Sequence, residues 1–134
     1  FLVRLVEKDS TVSDCFLPAG RSVLLHGHCH QKAAVGMAAT LTALQISGYD
    51  VGLIESSCCG MAGSFGFESE HYDISRRMGE LTLFPAVEAA SLDTEIAVTG
   101  SSCRQQVDHF TSRNSRHVIE LIAETLQPPG SSTE

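Results

Sequence analysis

The sequence is short of positive charge. Nine lysines and arginines face sixteen acidic residues, for a net charge of −7 and an isoelectric point of about 5.3. A phosphate backbone needs a basic face, so this balance argues against a nucleic-acid partner. No apolar stretch approaches the ~20 residues that span a bilayer, and no secretory leader is visible. The Gly-Lys-Ser/Thr ending of a phosphate loop, the Gly-x-Ser-x-Gly elbow of a serine nucleophile and any internal repeat are also absent. So is an even cysteine framework. The five cysteines are unevenly spaced in a chain whose 43% hydrophobic content can build a core without cross-links. Metal or redox chemistry in a reducing cytoplasm fits this better than a secreted disulfide scaffold. With 134 residues and mean hydropathy +0.05, one domain is expected. Its start at Phe1 rather than Met reads as a piece of something longer.

The apolar pattern that remains alternates between strand and helix. Ser22–Leu25, running into His26, reads as a short buried strand. From His30 to Ser47 the spacing of Ala34, Met37, Ala38, Leu41 and Leu44 predicts one helix, stopped by Gly48. Asp50–Glu55 reads as a second strand, followed by a glycine-rich loop over Cys59–Gly66. Ser69 can cap a helix through Tyr72, Ile74, Met78 and Leu81, which Pro85 kinks or restarts before Ala86–Ala90. Glu95–Thr99 is a third strand, and Ser102 with Gln105 suggests a capping box on the next helix. A last amphipathic helix over His117–Leu126 would turn Val118, Leu121, Ile122 and Leu126 inward. Residues 1–21 read as a helical or linker segment and 127–134 as a disordered tail. The order predicts an α/β, three-layer, Rossmann-like domain with a small parallel sheet and crossover helices.

Four cysteines fall where such a fold gathers ligands, just beyond the carboxyl ends of strands. Cys29 follows the first strand, Cys58 and Cys59 the second, and Cys103 the third. Adjacent cysteines do not easily bond to each other, so a vicinal pair there suits a partner that takes two sulfurs. Cys103, near a helix start, has free N–H groups and a positive dipole end that favour thiolate. A single cysteine in such a place reads better as a small buried hydrophobe; four at equivalent strand ends read as a site. Cys15, in a polar stretch, is read as a bystander. His28 and His30 flank Cys29, with His26 just before. These residue types would suit a mixed Cys/His zinc site, but the spacing is not that of the common short zinc finger. The histidines are assigned supporting roles, orienting ligands and offsetting thiolate charge. His26 also reads as packed or bonded within the sheet. Gly60 and Gly63 let the loop pass close to a bulky group, and Lys32 and Arg104 are placed to offset sulfur charge. Iron–sulfur cluster, structural zinc, and a metal-free thiol or docking domain all remain open on these residues.

The blocks His28-Cys29-His30-Gln31-Lys32, Cys58-Cys59-Gly60-Met61-Ala62-Gly63-Ser64-Phe65-Gly66 and Gly100-Ser101-Ser102-Cys103-Arg104-Gln105 resemble the cysteine-rich CCG domain. That domain occurs in heterodisulfide reductase, in the iron–sulfur proteins of glycolate oxidase and anaerobic glycerol-3-phosphate dehydrogenase, and at the end of bacterial FAD-linked oxidases. The resemblance covers residues 22–126. It implies ligation of a four-iron cluster, or of zinc, by Cys29, Cys58, Cys59 and Cys103. Many members carry a second cysteine three residues after the one in the third block, where this chain has Gln106; four thiolates still suffice for either group. The resemblance further implies an electron-transfer domain of a 2-hydroxy-acid oxidoreductase, not catalytic alone. FAD would sit in another domain, and the partners would be that domain, a ferredoxin-like cluster domain and a tandem CCG domain. It implies a cytoplasmic protein, with the inner face of the membrane as the alternative placement.

Overall fold

The computed structural model describes residues 1–56 and 58–127. Four parallel strands form one sheet: β1 (Ser22–His26), β2 (Asp50–Leu53), β3 (Glu95–Val98) and β4 (Ser115–His117), in the order β2-β1-β3-β4. The helices are α1 (Leu2–Lys8), α2 (Cys29–Ala34), α3 (Ala38–Ile46), α4 (Tyr72–Glu80), α5 (Leu83–Ala89), α6 (Ser101–Phe110) and α7 (Val118–Glu124). Strand order reverses between β1 and β3, which makes the crevice beyond their carboxyl ends the switch point of the fold.

Period-two alternation divides the core between the two faces. Val23, Leu25 and Ala97 join Leu44, Tyr49, Leu121 and Ile122 beneath α1, α3 and α7. Ile96 and Val98 join Leu83, Phe84, Val87 and Val107 beneath α4, α5 and α6. The expected three-layer α/β architecture is therefore present. No helix among the described residues is long and apolar enough to cross a membrane.

Several boundaries differ from the sequence reading. The single helix expected over 30–47 is two, because Gly36 takes φ +72° and the N–H groups of Val35 and Gly36 both close on the Gln31 carbonyl. The break lets Met37 turn under Gly27, where a Cβ would collide with its side chain. Ser69 caps nothing: α4 starts at Tyr72, with His71 before it stacked on Phe65 at 3.9 Å. Pro85 does restart the helix, standing in the first turn of α5. The capping box at Ser102 is not made, since α6 begins a residue earlier behind Gly100 with no side-chain cap. His117 ends β4 instead of starting α7, and Leu126 is half exposed rather than inward. Gln127 is tied to the Cys15 and Asp14 carbonyls at 2.8 and 3.0 Å; the rest of the expected tail, 128–134, lies outside the described residues.

The amino edge of the sheet carries a charge network. Glu124 accepts from Arg116 at 2.7 Å and from the buried Tyr49 hydroxyl at 2.6 Å, and it also meets Arg21, which pairs with Glu95 at 2.8 Å. The Arg116 hydrogen bond, with that of Tyr49, outweighs burial and holds the Glu124 carboxyl down to about 2. A carboxyl lowered on folding contributes stability that is complete above its unfolded value near 4.5 and is lost as pH falls towards 2. Glu124→Gln is expected to flatten the fall in urea midpoint between those pH values. Because solvent screens these partly exposed groups, its cost at neutral pH should be about 1 kcal/mol or less.

Candidate functional site at the carboxyl edge

β1 delivers His26 to the carboxyl edge with no exposed surface. The chain then turns through Gly27 and His28 into α2, whose first residue is Cys29. His28 positions that start in two ways. Its Nδ1 accepts the His30 N–H at 3.3 Å as the helix cap, and its own N–H donates to Thr99 Oγ1 at 2.8 Å, fastening the end of β1 to the end of β3. Its ring lies against Gly100, where a Cβ would come within 2.7 Å of it. Lys32 Nζ donates to the Ser56 carbonyl, holding α2 against the segment that leads to the vicinal cysteines.

After β2 the backbone coils tightly, with Gly60, Ala62 and Gly63 at φ +98°, +44° and +72°. Gly60 is there because its Cα faces α4: a Cβ would fall on the Ser75 carbonyl oxygen and lie 3.0 Å from Gln106 Nε2. The turn brings the Gly60 N–H onto Cys58 Sγ at 3.3 Å and buries Cys59. Gln106, itself buried in α6, donates to the Cys59 carbonyl at 2.8 Å and to Ser75 Oγ at 2.9 Å. One amide thus clamps the cysteine loop, α4 and α6 together. Cys103, one turn earlier on α6, is buried beside Cys59.

A ring nitrogen of His26 and the sulfurs of Cys59 and Cys103 all lie within 4.8 Å of one another. The hydrogen bond from Cys103 is the largest influence holding the Cys59 thiol down to about 4, against burial; the Met61 N–H acts in the same direction. Cys103, the partner that keeps its proton, is pushed up by that same contact, by burial and by the charge of the other three thiols. The thiolate preference expected from its helix start is overridden. Burial also pushes Cys58 up; the Gly60 N–H opposes this, while Cys59 and Cys29 add to it.

The four cysteines singled out from sequence therefore occupy one edge. Cys59 and Cys103 form its tight centre, while Cys29 and Cys58 stand half-buried at its margin, near enough for charge to act between them. Cys15 is exposed. Arg104 pairs with Glu120 at 2.8 Å and approaches Asp108 at 3.7 Å, so its charge is shared with two acids. His30 is exposed, and Gly63 has open space where a Cβ would be. His117 caps α7 and contacts the Thr99 carbonyl at 3.3 Å, joining the same edge. Sequence reasoning gave Gln106 no part in the site and His26 no more than a supporting one. The signal for His26 was available in strand parity: if Val23 and Leu25 face one layer, Leu24 and His26 face the other, towards Cys59 and Cys103.

The structure thus defines a parallel α/β domain with a thiol–imidazole cluster at its switch point. No family model matches the chain, and no solved structure matches it. Among curated proteins it is similar to one of the polypeptides of the anaerobic glycerol-3-phosphate dehydrogenase of Escherichia coli, at 32% identity over 110 residues, covering 81% of this chain and 27% of that protein. It is also similar to D-2-hydroxyglutarate dehydrogenase of Pseudomonas putida, at 32% identity over 79% of this chain and 10% of the relative. The D-2-hydroxyglutarate dehydrogenase of E. coli gives 29% identity over 81% and 11%. The chain spans about a quarter of the length of the first relative and about a tenth of the other two.

Proposed function

We propose that this chain is an electron-transfer domain of the cysteine-rich CCG type, in which Cys29, Cys58, Cys59 and Cys103 hold an iron–sulfur cluster. We assign it to a larger, cytoplasmic, FAD-linked 2-hydroxy-acid oxidoreductase. The observation that carries this reading is the convergence of four thiols from three strand ends on one edge. Its donor chemistry suits a thiophilic group: one thiol held deprotonated, others beside it, and a buried imidazole nitrogen with no hydrogen-bond partner among the described residues. The naming of relatives as dehydrogenases supports the oxidoreductase context. Bound there, a cluster would supply one-electron transfer between a flavin in another domain and an onward acceptor.

The chain's own residues would bind and tune. Cys59 offers its sulfur as thiolate, and Cys103 must release its proton on loading, so uptake is accompanied by proton release. The N–H groups of Gly60 and Met61 stabilise charge on Cys58 and Cys59. Gln106 and Lys32 fix the loop from either side. The compact His26–Cys59–Cys103 trio favours a second reading, a single zinc ion completed by one more thiolate. Anaerobic loading separates the two. With iron and sulfide, the electron-transfer reading expects visible absorption that dithionite bleaches and a mild oxidant restores. Retention of zinc with no coloured, reducible form under iron and sulfide would overturn it.

A further inference from the structure

His26 is the last residue of β1, in the interior of the sheet, and has no exposed surface. An imidazole in such a place normally satisfies both nitrogens. Here Nδ1 meets Ser56 Oγ at 2.7 Å, while Nε2 is buried with no hydrogen-bond partner among the described residues. Two sulfurs from different elements share its surroundings: a ring nitrogen, Cys59 Sγ and Cys103 Sγ lie within 4.8 Å of one another. Three soft or borderline donors converge on one point, and each is fastened from behind. Ser56 holds the ring, Gln106 holds the Cys59 backbone, and α6 carries Cys103 in its first turn.

We infer that His26 is itself a ligand, binding through Nε2 and completing with Cys59 and Cys103 a mixed nitrogen–sulfur donor set, with Ser56 as its positioning residue. This rests on the reading that the thiol edge holds a metal group, and it changes which atoms do the holding. Ligation needs the neutral ring with its lone pair on Nε2, hence the proton on Nδ1. Ser56 Oγ is at hydrogen-bond distance to accept that proton, the arrangement by which a supporting group selects the binding tautomer of a metal-bound histidine. The Lys32 contact to the Ser56 carbonyl fixes the backbone from which the hydroxyl projects. Cys29 and Cys58, at the margin, supply the remaining sulfur.

The test loads the chain in two ways, with zinc alone and with iron plus sulfide, both anaerobically. X-ray absorption of the zinc form is expected to give a first shell with one nitrogen at about 2.0 Å beside sulfurs at about 2.3 Å. Pulsed electron paramagnetic resonance of the reduced iron form should show a strongly coupled nitrogen that changes when histidine is labelled with ¹⁵N. His26→Gln should abolish the nitrogen signature in both. Ser56→Ala, a milder change that keeps the variant set informative if His26→Gln does not fold, should weaken zinc binding about 10-fold, with Ser56→Thr restoring it. An all-sulfur shell with no nitrogen coupling would overturn the inference and leave the thiolate reading standing. Failure to retain either metal would overturn both.

Discussion

Replacing Cys59 by serine is expected to lower the amount of iron and sulfide the loaded chain retains by more than about tenfold, the lower range of loss when only a supporting contact is removed. Cys59 is the thiol held most firmly as thiolate, at about 4, and it lies in the tight group with His26 and Cys103. Serine keeps the shape and the backbone clamp from Gln106 but replaces a soft donor with a hard hydroxyl. The fold should therefore survive. Equal far-ultraviolet circular dichroism with a near-complete loss of visible absorption is the expected pair of results. Cys15→Ser, at the exposed cysteine away from the edge, should change neither. In the larger FAD-linked oxidoreductase proposed above, Cys59→Ser should leave flavin reduction by substrate intact and slow delivery to the final acceptor. Unchanged iron content in Cys59→Ser would remove the vicinal cysteines from the site.

Gly60→Ala is expected to be the most damaging single-methyl change, costing about 3 kcal/mol or more because a backbone conformation disfavoured for alanine is combined with overpacking. At φ +98° the new Cβ falls on the Ser75 carbonyl and crowds Gln106 Nε2 at 3.0 Å. Relief requires the loop to lift off α4 and α6, which breaks the Gln106 bond to the Cys59 carbonyl and displaces both sulfurs. Stability and metal retention should fall together. Gly63→Ala provides a comparison: its φ is also positive, at +72°, but no atom of the described residues lies within 4 Å of the added methyl. It should cost about 1 kcal/mol from backbone strain alone and leave loading intact. Urea unfolding of the metal-free proteins measures the difference, and equal costs at the two glycines would contradict the clamp.

Three strands and the side of the sheet to which they deliver their cysteines were legible because their signals are local. Val23, Leu25, Ile96 and Val98 are fully buried apolar residues in short runs, each followed by glycine and a helix. β4 was not legible. Ser115-Arg116-His117 has no apolar pattern, and it becomes a strand because β3 offers an open edge and Asp108 takes the Ser115 N–H and hydroxyl at 2.7 and 2.8 Å. The split between α2 and α3 was hidden by continuous helical spacing that runs through Gly36. The cysteine blocks pointed to one shared edge, but their division into centre and margin depends on side-chain depth, which no spacing records. Gln106 reads as an ordinary helix residue; only its contacts with Cys59 and Ser75 reveal it as the clamp.

The most direct measurement is the content of iron, acid-labile sulfide and zinc per chain after anaerobic loading with all three offered together. A thiolate-bound cluster at this edge predicts about four iron and four sulfide per chain with little zinc, as expected of a four-iron cluster on cysteine ligands. One zinc per chain, with iron and sulfide absent, would contradict the electron-transfer account.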